Sequence, residues 1–260
     1  MHSVRIGTWN LGRSGAFHRT RIPRQIHALQ QRNADLWVLT EAHDANIPPG
    51  GHVSSSAPHG DFHQKGEHRV VLWSRFALRP VATEDALSTV AARLEVPWLD
   101  RPLLVYGTVI SPAQGGVVQR PALSWQRHLD MVQRQRAEWL RLRQEFPDHA
   151  LCVAGDFNAN LDATASYGSV DPRHSLLQGL ADAGLQCLTT DDKRDPLEQG
   201  VGRAGVAHVC FSALEGLESR LEAWPASAEG YRLSDQSGIL VELSWPQPQV
   251  QSWLDSTGSS

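Results

Sequence analysis

Hydrophobic runs in this chain repeatedly end in an oxygen-bearing side chain. TWNLG supplies Asn10, LTEAH supplies Glu41, AGDFNANL supplies Asp156 and Asn158, and LSDQ supplies Asp235. Strands that end this way deliver carboxylates and amides to one sheet edge, where a rigid scaffold can hold a site. Together, Asn10, Glu41, Asp156, Asn158 and Asp235 make an oxygen-rich set. Such a set suits Mg²⁺ or Mn²⁺ rather than zinc. An ion of that kind polarises a phosphoryl oxygen and activates water, so phosphoester hydrolysis is the chemistry to expect. Singly, each residue also has an ordinary structural explanation. Asp and Asn after a strand commonly cap helices or build Asx turns, and GDFN alone fits such a turn.

The elements that position these residues follow from hydrophobic periodicity. Val4–Asn10 and Asp35–Glu41 are β-prone runs, and Pro23–Arg32 between them has a helical pattern with Pro in its first turn, which predicts strand, helix, strand. Arg69–Ser74, Val90–Val96 and Leu103–Ile110 are expected to form an antiparallel meander. Pro121–Phe146 reads as one long helix, with Leu123, Leu129, Val132, Trp139, Leu140 and Phe146 on its apolar face. Its arginines, Arg127, Arg134, Arg136, Arg141 and Arg143, are expected on a solvated face rather than a nucleic-acid patch. The second half repeats the rhythm: strand Ala150–Ala154, helix Ser175–Ala183, then strands over Leu185–Leu188, Val206–Phe211 and Ile239–Trp245.

The chain has 260 residues, 41% of them hydrophobic, and shows no obvious linker, so one domain over 1–245 is expected. From Pro246 the composition turns to Pro, Gln, Ser and Gly, which predicts a flexible tail over 246–260. A formal charge of −4 excludes an overall positive field, so any polyanion needs a local basic patch. Cys152, Cys187 and Cys210 sit singly in apolar surroundings, without the spacing of a disulfide framework or a zinc site. A reduced, cytoplasmic setting is expected. The opening MHSVRIGTWNL lacks a signal-peptide core, and no apolar run approaches the roughly 18 residues of a spanning helix, so no membrane insertion is expected.

Taken in order from residue 4 to 243, these pieces resemble the endonuclease/exonuclease/phosphatase superfamily, with GDFN as the most specific motif. The resemblance implies a four-layered α/β sandwich, in which two mixed, mostly antiparallel sheets pack face to face with helices outside. It implies metal-site roles for Asn10, Glu41 and Asp235. By the same resemblance Asp156 orients or deprotonates water, and Asn158 is a phosphate-site partner.

Three departures accompany the resemblance. Gln236 stands where the family has the His of Ser-Asp-His, replacing a side chain that can carry a proton with one that only hydrogen-bonds. GVAHV puts Ala207 where the family has the Asp that orients that His, while His208 should face the other side of the sheet in a structural role. VYGTVIS carries apolar residues where many members place a strand-end His near Val109, leaving Tyr106 as a candidate phosphate contact.

The expected function is divalent-metal-dependent phosphoester hydrolysis by a weakened site, with Gln236 in the catalytic histidine's place. Its alternative is a pseudoenzyme that keeps the fold to bind a ligand or a protein partner. Arg13, His18, Arg19, Arg21 and Arg24 follow the first site strand and are candidates to line its mouth. Of these, Arg13 joins Asn158 as the expected phosphate contact, on a phosphoester substrate that includes nucleic acid among its candidates.

Overall fold

The computed structural model describes residues 2–14, 18–58, 64–111, 121–161, 170–190, 205–212 and 216–245. The expected tail over 246–260 and the side chain of Leu123 lie outside the described residues. The first half runs β1 (His2–Asn10), α1 (Arg21–Gln31), β2 (Leu36–His43), β3 (His52–Ser55), β4 (Glu67–Ser74), β5 (Arg79–Val81), β6 (Thr89–Leu94) and β7 (Leu103–Val109). The second runs α2 (Pro121–Glu145), β8 (Ala150–Asp156), α3 (Val170–Asp182), β9 (Leu185–Cys187), β10 (Ala207–Ser212), β11 (Glu218–Trp224), β12 (Ser227–Ala228), β13 (Tyr231–Arg232) and β14 (Gly238–Trp245).

Two six-stranded sheets form, in the orders β11-β14-β1-β2-β4-β3 and β5-β6-β7-β8-β10-β9. Each contains one parallel pair, β1 with β2 and β7 with β8, among antiparallel neighbours. The parallel pairs are the ones joined through a helix, α1 in the first sheet and α2 in the second, as a parallel connection requires. The expected meander is corrected here. β6 and β7 are antiparallel neighbours, but β4 belongs to the opposite sheet, between β2 and β3. Hydrophobic alternation marks a strand without saying which sheet takes it.

Alternation along the strands sorts the core into layers. Val4 and Ile6 of β1, Val38 of β2, Val105 of β7 and Cys152 of β8 pack between the sheets. Trp9, Trp37 and Leu39 turn to the outer face of the first sheet, where Ala28 and Leu29 of α1 cover them. On the outer face of the second sheet, Leu104, Tyr106 and Val153 meet Val132, Trp139 and Leu142 of α2 and Leu176 and Leu180 of α3. Arg136 and Arg141 of α2 form ion pairs with Asp182 and with Glu145, while Arg134 is exposed, as a solvated face requires.

On the outer face of the first sheet, glycines sit opposite tryptophans. Gly7 pairs with Trp37 and Gly238 with Trp224 across the ladders. A Cβ at Gly7 would lie 2.0 Å from the Trp37 ring, and one at Gly238 2.0 Å from Trp224. The rings lie over the glycines and meet each other edge to face, with Trp9 and Trp37 both contacting Trp224 at centroid distances of 5.6 and 5.9 Å. Gly7→Ala should therefore displace Trp37 and lower stability by about 1–3 kcal/mol, read as a lower urea midpoint. An unchanged midpoint would refute the close packing.

Candidate active site

The carboxyl ends of the parallel strands, where α/β sheets commonly bind ligands, lie at one end of the sandwich. Asn10 closes β1, Glu41 falls near the end of β2, and Asp156 closes β8. Gln236 comes just before β14, which is antiparallel to β1, so the chain enters that strand at the same end.

Asp156 is the centre. It is 1% exposed, and its Oδ2 accepts from Asn10 Nδ2 and from Gln236 Nε2, each at 2.9 Å. Its Oδ1 accepts from the Asn158 backbone N–H at 3.0 Å. Three of about four lone-pair directions are thereby filled, leaving one on Oδ1. Burial lifts this carboxyl above its ordinary range, and the donors from Asn10, Gln236 and Asn158 partly offset the lift. The glycine of GDFN has a steric reason, because Gly155 has φ +138° and a Cβ there would stand 2.0 Å from the Thr108 carbonyl oxygen.

Asn10 is nearly fully engaged, with Oδ1 accepting from Gly12 N–H at 2.8 Å while Nδ2 holds Asp156. Gln236 is anchored at its backbone, where its carbonyl accepts from Trp9 Nε1 at 2.9 Å and its N–H donates to Ser234 Oγ at 3.2 Å. Since Asp156 offers an acceptor, the amide orientation is fixed, and Gln236 Oε1 is left buried with no hydrogen-bond partner among the described residues. Ser234 builds the turn, donating to the Asn10 carbonyl and accepting from Gln236. Asp235 is exposed beside it, and its charge acts on Glu41, Asp156 and Arg21.

Among the described residues five non-glycine residues have positive φ, and three are site residues: Arg13 (φ 50°), Glu41 (φ 48°) and Asn158 (φ 48°). Left-handed backbone at Arg and Glu is strained, and such strain gathers at functional sites. The Asn158 side chain donates to the Ile110 carbonyl at 2.9 Å, which pins the turn after Asp156. The β2–β4 ladder pairs Thr40 with Val70 and Ala42 with His68, so its register carries Glu41 opposite Arg69.

Arg69 is the site residue that sequence reasoning missed. Burial lowers its pKa first, and the charges that act on it include Asp85, Arg13, Glu41 and Arg127. Arg69 therefore shares the electrostatic neighbourhood of Arg13 and Glu41, with Arg127 acting on Arg69 as well. Only the register could have revealed Arg69, which in sequence is one arginine opening RVVLWS.

Several expectations move. Arg21 spends its donors on the carbonyls of Leu233 and Leu11, at 2.7 and 2.9 Å, so it braces the site loops instead of facing phosphate. Arg24 donates to the Thr20 carbonyl and lies 3.8 Å over the Tyr231 ring. Tyr106 is no phosphate contact, because its hydroxyl is buried beneath α2 and donates to Glu138 at 2.6 Å. Ala207 pairs with Asp156 across β8 and β10, so no acidic side chain stands there. His208 turns away, with Nε2 donating to the Ala159 carbonyl at 2.9 Å.

Burial raises the Glu41 carboxyl first, followed by the Asp156 charge; Arg13 and a hydrogen bond from Asn10 oppose this, and Asp235 adds to it. The folded state thus holds this proton more tightly than the unfolded chain. The associated stability is full below the ordinary glutamate pKa and is lost as pH rises through the raised one. Glu41→Gln should melt about 2 °C above the parent at neutral pH without divalent metal, the difference closing below the ordinary glutamate range. Equal melting temperatures at neutral pH in scanning calorimetry would remove this account of Glu41.

A model of the endonuclease/exonuclease/phosphatase family matches residues 7–231. No curated protein matches the sequence. Among solved structures, the chain is similar to the AP endonuclease LMAP from Leishmania major, with TM-score 0.69 and 11% identity over 94% of this chain and 88% of that one. It is similar to the 3′ phosphatase NExo from Neisseria bound to a product DNA hairpin, with TM-score 0.65 and 18% identity over 93% of this chain and 100% of that one. A third likeness is to the human Nocturnin catalytic domain with bound sulfate, with TM-score 0.63 and 18% identity over 94% of each chain. At such identities the structures speak for the fold, and the family model speaks for descent. With that match running through three of the strand ends that build the site, those of Asn10, Glu41 and Asp156, the chain belongs to the endonuclease/exonuclease/phosphatase family.

Proposed function

We propose that this chain is a Mg²⁺- or Mn²⁺-dependent phosphoester hydrolase, its domain spanning residues 1–245, and that nucleic acid is among its candidate substrates. The observation that carries the reading is the buried Asp156 carboxylate, fixed by Asn10 and Gln236 beside Glu41.

The residues fit a hard divalent ion. Burial raises the Glu41 carboxyl first and the Asp156 and Asp235 charges add to it against Arg13, a repulsion among carboxylates that a bound cation would relieve. Among the described residues no group of three or more His, Cys, Asp or Glu side chains stands at metal-holding spacing. Two carboxylates, Glu41 and Asp235, are a donor set of the kind that Mg²⁺ takes, its other positions filled by water and substrate phosphate. Glu41 and Asp235 would supply the carboxylates, and Asn10 the remaining lone pair of Oδ1. When bound, the ion polarises a phosphoryl oxygen and makes attached water more acidic.

The chain's own groups divide the remaining work. Asp156, raised by burial, is a better proton acceptor than an ordinary aspartate, and the lone pair left on Oδ1 is aimed by the hydrogen bonds on its other positions. Gln236 orients that carboxylate but cannot transfer a proton. Positive charge for phosphate comes from Arg13 and Arg69, which neighbour Glu41, and from Arg127, which neighbours Arg69. This offsets part of the charge a histidine at position 236 would bring. The DNA hairpin on the Neisseria phosphatase supports nucleic acid as one substrate class.

Manganese titrated calorimetrically should bind the parent and fail to bind Glu41→Ala; equal binding by both would sink the metal assignment. Asp156→Asn should lower phosphodiester turnover by about 10²- to 10⁴-fold. The combined Ala207→Asp, Gln236→His variant should hydrolyse faster than the parent. A folded, metal-binding combined variant with no turnover, beside an equally silent parent, would replace this reading with that of a ligand-binding pseudoenzyme.

A further inference from the structure

Outside the site, the outer face of the second sheet carries an unusual group of reactive side chains. Cys187 of β9 lies directly opposite Cys210 of β10. The neighbouring pair, Leu188 and Val209, is hydrogen-bonded, with Leu188 N–H donating to the Val209 carbonyl at 2.9 Å. Hydrogen-bonded and non-hydrogen-bonded pairs alternate along an antiparallel ladder, so Cys187 and Cys210 form a non-hydrogen-bonded pair, with Cα atoms about 4.5 Å apart and side chains close together. That separation lies within the span of about 4.4–6.8 Å that a disulfide bridges without backbone movement. Both thiols face the layer under α2 and α3, whereas Cys152 faces the opposite side, between the sheets.

The third member is His208. Its Nε2 donates to the Ala159 carbonyl at 2.9 Å, which fixes the proton on that nitrogen and makes Nδ1 the acceptor in the neutral ring. Nδ1 lies 3.0 Å from Thr189 Oγ1 and 3.7 Å from Cys187 Sγ. A thiol beside an oriented imidazole acceptor is the arrangement that activates a cysteine nucleophile. Both thiols lie within the layer, Cys187 the less enclosed of the two, so a reagent small enough to enter meets Cys187 first.

We propose that Cys187 and Cys210 form a peroxide-reactive thiol pair, in which Cys187 is the sulfur attacked and Cys210 closes the disulfide. Cys187 passes its proton to His208 Nδ1 and attacks the peroxide. A sulfur–oxygen bond forms, the oxygen–oxygen bond breaks, and the departing hydroxide takes the proton as water. The Cys210 sulfur then attacks Cys187, the sulfur–oxygen bond breaks, and hydroxide leaves with the Cys210 proton as a second water. Two thiols are oxidised and one hydrogen peroxide is reduced. The roles agree with the acidities. A hydrogen bond from Cys210, and then the proximity of His208, bring Cys187 well below the usual thiol range, while burial keeps Cys210 well above it.

The test treats the full chain with hydrogen peroxide and maps its peptides by mass spectrometry without reduction, with no dependence on hydrolysis. The expected product joins the Cys187 and Cys210 peptides, lighter by two hydrogens, with Cys152 still a thiol. In Cys210→Ser the reaction should stop at a Cys187 sulfenic acid that dimedone traps. In His208→Asn, checked for folding by its melting curve, Cys187 should react roughly tenfold more slowly, the effect of a one-unit rise in thiol pKa. Oxidation of Cys152 as fast as Cys187 would overturn the proposal. So would Cys187 running on to sulfinic acid beside an intact Cys210 thiol, or Cys187 reacting no faster in the folded chain than in urea.

Discussion

One buried carboxylate holds the working end of this molecule together. Asp156 belongs to the second sheet, and the two side chains that bind its Oδ2, Asn10 and Gln236, come from the ends of β1 and β14 in the first. The hydrophobic layer between the sheets, from Val4 to Val209, is non-directional and would tolerate small slides of one sheet over the other. Two hydrogen bonds onto one carboxylate do not. Leaving a carboxylate buried without donors costs far more than an ordinary hydrogen bond contributes, so the relative placement of the sheets is set where Asp156 is satisfied.

The residue at position 236, where the resemblance implies a histidine, acquires a physical meaning from this. A histidine would have to choose between the carboxylate and a phosphate, and its charge would change with pH. Gln236 donates from one end of its amide to Asp156 and leaves the other end, Oε1, as a buried acceptor without a partner among the described residues. It makes the bridge between the sheets and has no proton to transfer. Ala207, opposite Asp156, is consistent with this, because an acidic residue there would have no imidazolium to orient and would add a like charge beside a carboxylate already raised by burial.

Much of the molecule was legible in the sequence because its central strands are apolar runs between turn residues. β1, β2, β7, β8 and β14 stand close to where periodicity places them. β3, β5 and β11 escaped, since all three lie at sheet edges and mostly expose their side chains, so HVSS, RPV and ESRLEAW offer no apolar stripe to detect. In the site, the strand-end carboxylates and amides were legible by type and order. Arg69 and the Asp156–Gln236 bond were not, because both depend on registers and sheet assignments that link residues far apart in the chain. The structural role of His208 was inferable from its parity on β10, although Ala159 and Thr189, its hydrogen-bond partners, were not.

The position of β14 bears on how the protein is born. It lies inside the first sheet, between β11 and β1, so the opening strand of the chain pairs with the closing strand of the described structure. Synthesis delivers β1, α1 and β2 early, yet one side of β1 stays unpaired until residues 238–245 have left the ribosome. Contacts of such long sequence separation form late and slowly. A nascent chain therefore carries an open strand edge until β14 pairs with β1, which is the period when holdase chaperones have most to protect. Gln236 stands just ahead of the same strand, so Asp156 acquires its second side-chain donor only when β14 comes into place.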